Sequence, residues 1–201
     1  MIRILIAEDQ AMVREAIAGL LDLEDDLEVV AQVGRGDEVL AAAQACDPDV
    51  ALLDIEMPGA TGLEVLGRLA AQQPGCRILI LTTFGRPGYL RRAMEGGAAG
   101  FLLKDAPIAE LSSAIRRAMA GERIVDPGLA ASALSEGPSP LTDREQEVLV
   151  AAREHATVAQ VALALHLSPG TTRNHLSAIM GKLGAHSRIE ALRIAEEKGW
   201  L

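Results

Sequence analysis

The chain has 201 residues, 49% apolar and 23% charged, with a formal net charge of −9. That length suits two domains at roughly 100 to 200 residues each, and that composition excludes a disordered chain. No apolar run approaches the roughly 20 residues of a membrane-spanning helix. The N-terminus enters a strand-like run at once, without the basic and apolar regions of a signal peptide, so the expected location is cytoplasmic.

Apolar runs and helix-period segments alternate through the first 120 residues, the pattern of βαβ units and a parallel sheet. Residues 2–7 read as the first strand, followed by a helix over 11–23 with its stripe at Met12, Ala16, Leu20 and Leu23. A second strand (28–33) and helix (37–46), a third strand (50–53) and a helix over 63–72 stopped before Pro74 come next. The fourth strand spans 77–82, Pro87 opens a helix closed by Gly96-Gly97, and a fifth strand (101–103) and helix (107–120) complete five units. Residues 122–139, rich in Ala, Ser, Gly and Pro, read as a linker with room for a short helix. Helices over 143–154, 158–165, 169–183 and 189–198 follow, introduced by capping residues such as Thr142, with Glu145 three residues on, and Ser168.

Cys46 and Cys76 have neither metal-ligand spacing nor a redox motif, so buried free thiols are expected rather than a disulfide. Charge is unevenly placed: residues 1–122 carry eleven Lys and Arg against nineteen Asp and Glu, whereas residues 140–201 carry seven of each. Between His166 and Arg193, Arg173, Lys182, Arg188 and Arg193 face Glu190 alone.

Glu8, Asp9, Asp54, Thr82 and Lys104 each stand at the C-terminal end of an apolar run, and such ends converge where open α/β sheets bind ligands. Asp54, followed by the Met57-Pro58-Gly59 turn, suits a nucleophile that attacks phosphorus. Glu8 and Asp9 beside it suit Mg²⁺, which would screen three acids from an incoming phosphate. Lys104 and the Thr82 hydroxyl would hold phosphoryl oxygens. Taken singly, Asp9 also suits a helix cap, Lys104 a solvated strand end and Thr82 an ordinary strand residue. Gly34-Arg35-Gly36-Asp37 imitates a dinucleotide fingerprint, but it lacks the third glycine and follows the wrong strand.

The pair Glu8-Asp9, the phrase from Leu53 to Gly59, Thr82 and Lys104 together resemble the receiver domain of two-component response regulators over residues 1–121. The resemblance implies a doubly wound, flavodoxin-like five-stranded sheet and a histidine kinase as phosphodonor. It further implies Asp54 as phosphoacceptor, Mg²⁺ on Glu8, Asp9, Asp54 and the Glu56 carbonyl, and Thr82 with Phe101 as a switch pair. Core packing is the alternative role for Phe101. The stretch from Thr83 to Gly88 departs from the usual family pattern at the start of the fourth helix.

Residues 157–183 read as helix, short turn, helix. Leu176, Ala178, Ile179 and Leu183 suit the core, leaving Thr172, Arg173, Asn174, Ser177 and Lys182 outward; Arg and Asn read guanine and adenine edges. An ordinary solvated face is the alternative. Residues 141–149 with Ser168, Thr171 to Arg173, His175, Lys182-Leu183 and Arg188 resemble the LuxR-type output domain over 140–201, an all-α four-helix domain. The whole chain is thus similar to the NarL/FixJ class. By that resemblance Arg173, Asn174 and Ser177 approach bases, and Thr172, His175, Lys182 and Arg188 contact phosphates or position the helix. His155 and Gln160 stand where the family usually has Gly and Glu.

The phrases 6–10 and 81–89 resemble the DesR-like subfamily of regulators of membrane-lipid desaturation, which suggests lipid or envelope-stress target genes. The expected action is phosphorylation on Asp54, homodimerisation and promoter binding, with no enzymatic turnover beyond Mg²⁺-dependent self-phosphorylation and self-dephosphorylation. The helix-1/helix-5 surface, the strand-5 side and the last helix all remain open as dimer faces. Four basic side chains per subunit would reach roughly eight phosphates per dimer and give a log–log salt slope near −7 at most. Two rivals keep the same residues: a haloacid-dehalogenase-like phosphatase, which needs Asp where Glu56 stands, and a receiver-like module that works without phosphorylation.

Overall fold

The computed structural model describes residues 1–201 apart from 84, 137, 138 and 199, and leaves out the side chains of 132–136. Phe84, in the unusual stretch before the fourth helix, therefore lies outside the described residues. The chain forms two compact units: Met1–Gly85 with Tyr89–Ala131, and Arg86–Gly88 with Ser132–Leu201.

In the first unit, strands β1 (Ile2–Ala7), β2 (Leu27–Val33), β3 (Val50–Asp54), β4 (Arg77–Thr82) and β5 (Gly100–Leu103) alternate with helices α1 (Ala11–Leu21), α2 (Val39–Cys46), α3 (Gly62–Gln72), α4 (Pro87–Glu95, in this unit from Tyr89) and α5 (Ile108–Met119). Every strand pair is parallel, in the order β2-β1-β3-β4-β5, with a short sixth strand, β6 (Ile124–Val125), beyond β5. The central strands are nearly continuous apolar runs because both of their faces are covered. Ile4, Ile6, Leu52, Leu79 and Leu81 pack with Ala18 and Leu21 of α1 and Leu111, Ile115 and Ala118 of α5. The alternate residues Leu5, Ala51, Leu53, Ile78 and Ile80 are also buried.

The expected sheet is present, with one strand more. Residues 124–125, placed in the linker by sequence, form β6 (Ile124–Val125) beside β5, with Gly100 opposite Ile124 and Phe101 opposite Val125. Gly121, at φ +88, turns the chain after α5. A Cβ on Gly100 would lie 2.9 Å from the Ile124 carbonyl oxygen, so glycine there permits the approach. Two residues are too few to show an alternation, which is why the strand is invisible in sequence. The linker also holds α6 (Pro127–Glu136).

The second unit contains α7 (Asp143–Glu154), α8 (Val158–Ala164), α9 (Pro169–Leu183) and α10 (Arg188–Glu197). Thr142, Thr157, Ser168 and Ser187 each accept a backbone N–H from the first turn of their helix. Val148, Leu149, Val161, Leu176, Ile179, Ala191 and Ala195 make the core, with Trp200 packed against it.

Candidate functional site

The polar strand ends converge at the carboxyl edge of the sheet, where β1 lies between β2 and β3. Successive crossovers leave β1 in opposite directions there, which opens a crevice between the loops. Glu8 and Asp9 follow β1, Asp54 ends β3, Thr82 ends β4 and Lys104 follows β5. Carboxylate oxygens of Glu8, Asp9 and Asp54 lie within 4.8 Å of one another. The Lys104 ammonium donates to Glu8 Oε2 at 2.6 Å and lies 2.9 Å from Asp54 Oδ2. Glu8, Asp54 and Thr82 are buried, while Asp9 stands exposed at the mouth.

Two of the duller readings of single residues, those of Asp9 and Lys104, do not hold. The residue at the cap of α1 is Gln10, without a side-chain cap bond, so Asp9 does not serve that end. Lys104 has a side chain only 9% exposed and spans two acids, unlike a solvated strand end.

Burial pushes the Glu8 and Asp54 carboxyls up, against the lowering pull of Lys104. Desolvation pulls Lys104 down, but its hydrogen bonds and attraction to the two acids outweigh that, and its ammonium is held above its ordinary range. Three oxygen-bearing acids at this spacing suit a hard divalent cation, and one lysine leaves them short of a neutralising charge.

Backbone packing holds the nucleophile candidate. Asp54 Oδ1 accepts the Ile55 N–H at 2.8 Å. A Cβ on Gly62 would meet the Asp54 carbonyl oxygen at 2.1 Å, so α3 begins against the end of β3. Gly36, part of the false dinucleotide fingerprint, donates its N–H to Pro58 at 3.0 Å, and a Cβ there would lie 1.8 Å from the Ala60 oxygen. The glycine that mimics a nucleotide motif thus braces the loop after Asp54. Glu56, whose carbonyl was expected to ligate a cation, lies in that loop with its side chain exposed. Phe101 is wholly buried in β5, opposite Ile80 of β4, and Lys104 N–H donates to the Thr82 carbonyl at 2.9 Å.

Sequence reasoning missed Arg14. Its guanidinium donates to the Glu8 carbonyl at 2.6 Å, turning the first turn of α1 back onto the β1 end. The stripe expected at Met12, Ala16, Leu20 and Leu23 is exposed, and Arg14 instead shares the face that Ile17, Ala18 and Leu21 turn to the core, so the apolar pattern gave no signal for it.

In the second unit α9 is amphipathic, as expected, but its orientation differs in two places. Thr172 is fully buried, its hydroxyl donating to the Ser168 carbonyl at 3.1 Å, so it does not face outward. Ala178, expected in the core, is exposed. A four-residue back-bond turns a short hydroxyl side chain inward, a choice that hydrophobic patterning does not reveal. Arg173, Asn174 and Ser177 are exposed and His175 half-buried.

Lys182 and Arg188 are engaged within the protein: Lys182 donates to Glu145 at 2.6 Å and Arg188 to the His155 carbonyl at 3.1 Å. Lys182 and the Thr142 N–H hold the Glu145 carboxyl down to about 2. The two departures from family pattern are absorbed locally. His155 ends α7 in an extended conformation that needs no glycine, and Gln160 completes a capping box by accepting the Thr157 N–H at 3.0 Å.

Residues 4–116 match the response regulator receiver domain, and residues 139–195 match the luxR family of bacterial regulatory proteins. The chain belongs to the NarL/LuxR-type two-component response regulators, which join a receiver to a LuxR-type DNA-binding domain. Over its full length it is 48% identical to the transcriptional regulatory protein DesR of Bacillus subtilis, covering 99% of that protein. It is 47% identical to the uncharacterized transcriptional regulatory protein YvfU of the same organism, covering all of it. The crystal structure of the response regulator ChrA, from a heme-sensing two-component system, is 33% identical, with a TM-score of 0.58 over 100% of this chain and 98% of that one. These relatives are named as regulators, and the two domains imply a kinase as phosphodonor and DNA as ligand. Among the described residues, no helix is long and apolar enough to cross a membrane.

Proposed function

We propose that Asp54 is the phosphoacceptor through which a sensor histidine kinase controls DNA occupancy. The observation that carries this reading is the Lys104 ammonium bridging Glu8 and Asp54 at the sheet's switch point. A carboxylate oxygen of Asp54 attacks the phosphorus of a phosphohistidine, and the P–N bond breaks with its electron pair leaving on the imidazole. Mg²⁺, when bound, supplies a Lewis acid for the phosphoryl oxygens; Glu8, Asp9, Asp54 and the Glu56 carbonyl are the residues to hold it. Lys104 stabilises a second oxygen as a point charge and the Thr82 hydroxyl a third. Attack of water on the aspartyl phosphate resets the site, and small phosphoryl donors such as acetyl phosphate load it without the kinase.

The receiver function belongs to residues 1–121 and the output to 140–201, with 122–139 connecting them in a protein that works in the cytoplasm. Thr82 and Phe101 report the phosphoryl group, and the loaded protein dimerises to place two α9 helices on paired half-sites about one helical turn apart. Arg173, Asn174 and Ser177 approach base edges, with His175 beside them. Target genes of membrane-lipid or envelope type rest on likeness to DesR alone, since YvfU, nearly as similar, is uncharacterized.

Gel filtration of wild type and Asp54→Asn with acetyl phosphate and Mg²⁺ tests the reading. Wild type should shift to a dimer and the variant should not; equal behaviour of the two would rule out Asp54 as the input.

A further inference from the structure

The basic residues of the output unit are differently disposed from what their number suggests. Of the seven Lys and Arg in residues 140–201, Arg193 pairs with Glu197, Arg153 with Glu196 and Arg144 with Glu147. Lys182 pairs with Glu145, Arg188 donates to a carbonyl, and Lys198 also interacts within the protein. Among the described residues, Arg173 is the one without an ion pair or hydrogen bond.

Lys182 occupies a particular place. Glu145 Oε2 accepts from the Thr142 N–H at 2.7 Å, the Thr142 hydroxyl at 2.9 Å and Lys182 at 2.6 Å. The Glu145 side chain is 7% exposed, against 37% for Lys182. One buried oxygen therefore fastens the start of α7 to the far end of α9. At 3.6 residues per turn, the nine residues from Arg173 to Lys182 advance the helix by about 13 Å and half a turn beyond two full ones. Lys182 thus leaves α9 on the side opposite Arg173. Helix-turn-helix recognition helices read bases from their N-terminal residues, so Lys182 stands at the wrong end and on the wrong side for a groove contact.

We propose that Lys182 is a positioning residue, which fixes α9 against the Glu145 cap so that Arg173, Asn174 and Ser177 enter the groove at one angle, and makes no phosphate contact. It rests on the DNA-binding reading above and changes its electrostatics: Arg173 becomes the main side-chain source of salt dependence. The slope should then lie near −2 for a dimer rather than near −7, at about −0.9 per phosphate neutralised.

The test uses full-length protein loaded with acetyl phosphate and Mg²⁺. Its probes are a duplex enriched from random-sequence DNA by wild type and a scrambled duplex of equal length, titrated from low to moderate salt. Lys182→Ala should weaken binding to the enriched duplex about tenfold, narrow its preference over the scrambled duplex and leave the slope unchanged. Lys182→Arg, able to keep the pair, should restore the preference. Arg173→Ala should flatten the slope by about 0.9 for each subunit bound.

Glu145→Gln separates the alternatives even if Lys182→Ala folds poorly. It keeps Lys182 but loosens its hold, so positioning requires weaker binding, and a phosphate contact requires equal or tighter binding. A slope that falls in Lys182→Ala, or tighter binding by Glu145→Gln, overturns the proposal and leaves DNA binding intact. Enrichment of no duplex overturns both.

Discussion

Lys104 reaches across the end of β4 to place its ammonium 2.9 Å from Asp54, two strands away. Phosphorylation would exchange a carboxylate partner for a phosphoryl oxygen at nearly the same place, so Lys104 needs little rearrangement to serve the transferred group. Replacing it with Ala should slow phosphoryl transfer from acetyl phosphate by about 10² to 10³, the usual loss for one preorganised charge. It leaves Glu8 and Asp54 buried side by side without their cation. A rate unchanged in a radiolabelled phosphoryl transfer assay would show that Lys104 only neutralises the acids.

Gly62 permits α3 to start against the Asp54 carbonyl, where a Cβ would sit 2.1 Å from the oxygen. That contact is with backbone and cannot be relieved by a side-chain rotation. Gly62→Ala should therefore cost about 2 kcal/mol or more through overpacking, and should slow phosphorylation because β3's end must move. Thermal melting of the two proteins, alongside acetyl phosphate labelling, checks both effects. A melt within 1 °C of wild type would show the loop to be more pliable than its geometry implies.

Glu145 gives the output unit an acid-sensitive joint. Its carboxyl is ordinarily near 4.5 and is held down to about 2 by Lys182 and the Thr142 cap. A depressed folded-state value contributes stability that is complete above the unfolded value and lost as protons fill the folded site. The contribution, on the order of 3 kcal/mol at most, is thus present above pH 4.5 and fades toward pH 2. Trp200 is the chain's single tryptophan and packs on that core, so its fluorescence reports unfolding of this unit. In denaturant titrations, the stability gap between wild type and Glu145→Gln should narrow from pH 6 toward pH 2. A gap that does not change with pH would mean that Lys182 does not stabilise the ionised form.

Thr172 and Arg173 are sequence neighbours with opposite surroundings, one fully buried and the other exposed. Arg173→Ala should cost about 1–3 kcal/mol of discrimination at one base pair of each half-site. Thr172→Val should keep operator affinity within about twofold and show its effect as a lower melting temperature, since it removes a buried hydroxyl bonded to the Ser168 carbonyl. Competition binding against single-base variants of the operator measures both. Equal losses of base preference in the two variants would mean that α9 rotates on binding DNA.

The chain's periodicities were enough to place its main elements. Residues 143–154 and 169–183 begin where their caps predict, because Thr142 and Ser168 compete locally for backbone N–H groups whatever the tertiary context. The strand ends likewise announced the crevice: a lone Asp54 after a fully apolar run has few places to go except the edge of a sheet. Tertiary structure decided what local patterns cannot hold. β6 exists because Gly100 and Gly121 let two residues reach an edge, and Gly36 proved to be a brace for the loop after Asp54, an approach between segments distant in sequence. Thr172 turned inward, and Lys182 went to Glu145, 37 residues earlier in the chain. A charged residue on a helix reads the same in sequence whether it waits for a phosphate or has already met a carboxylate. Only the packing of α7 on α9, which buries that carboxylate, distinguishes the two.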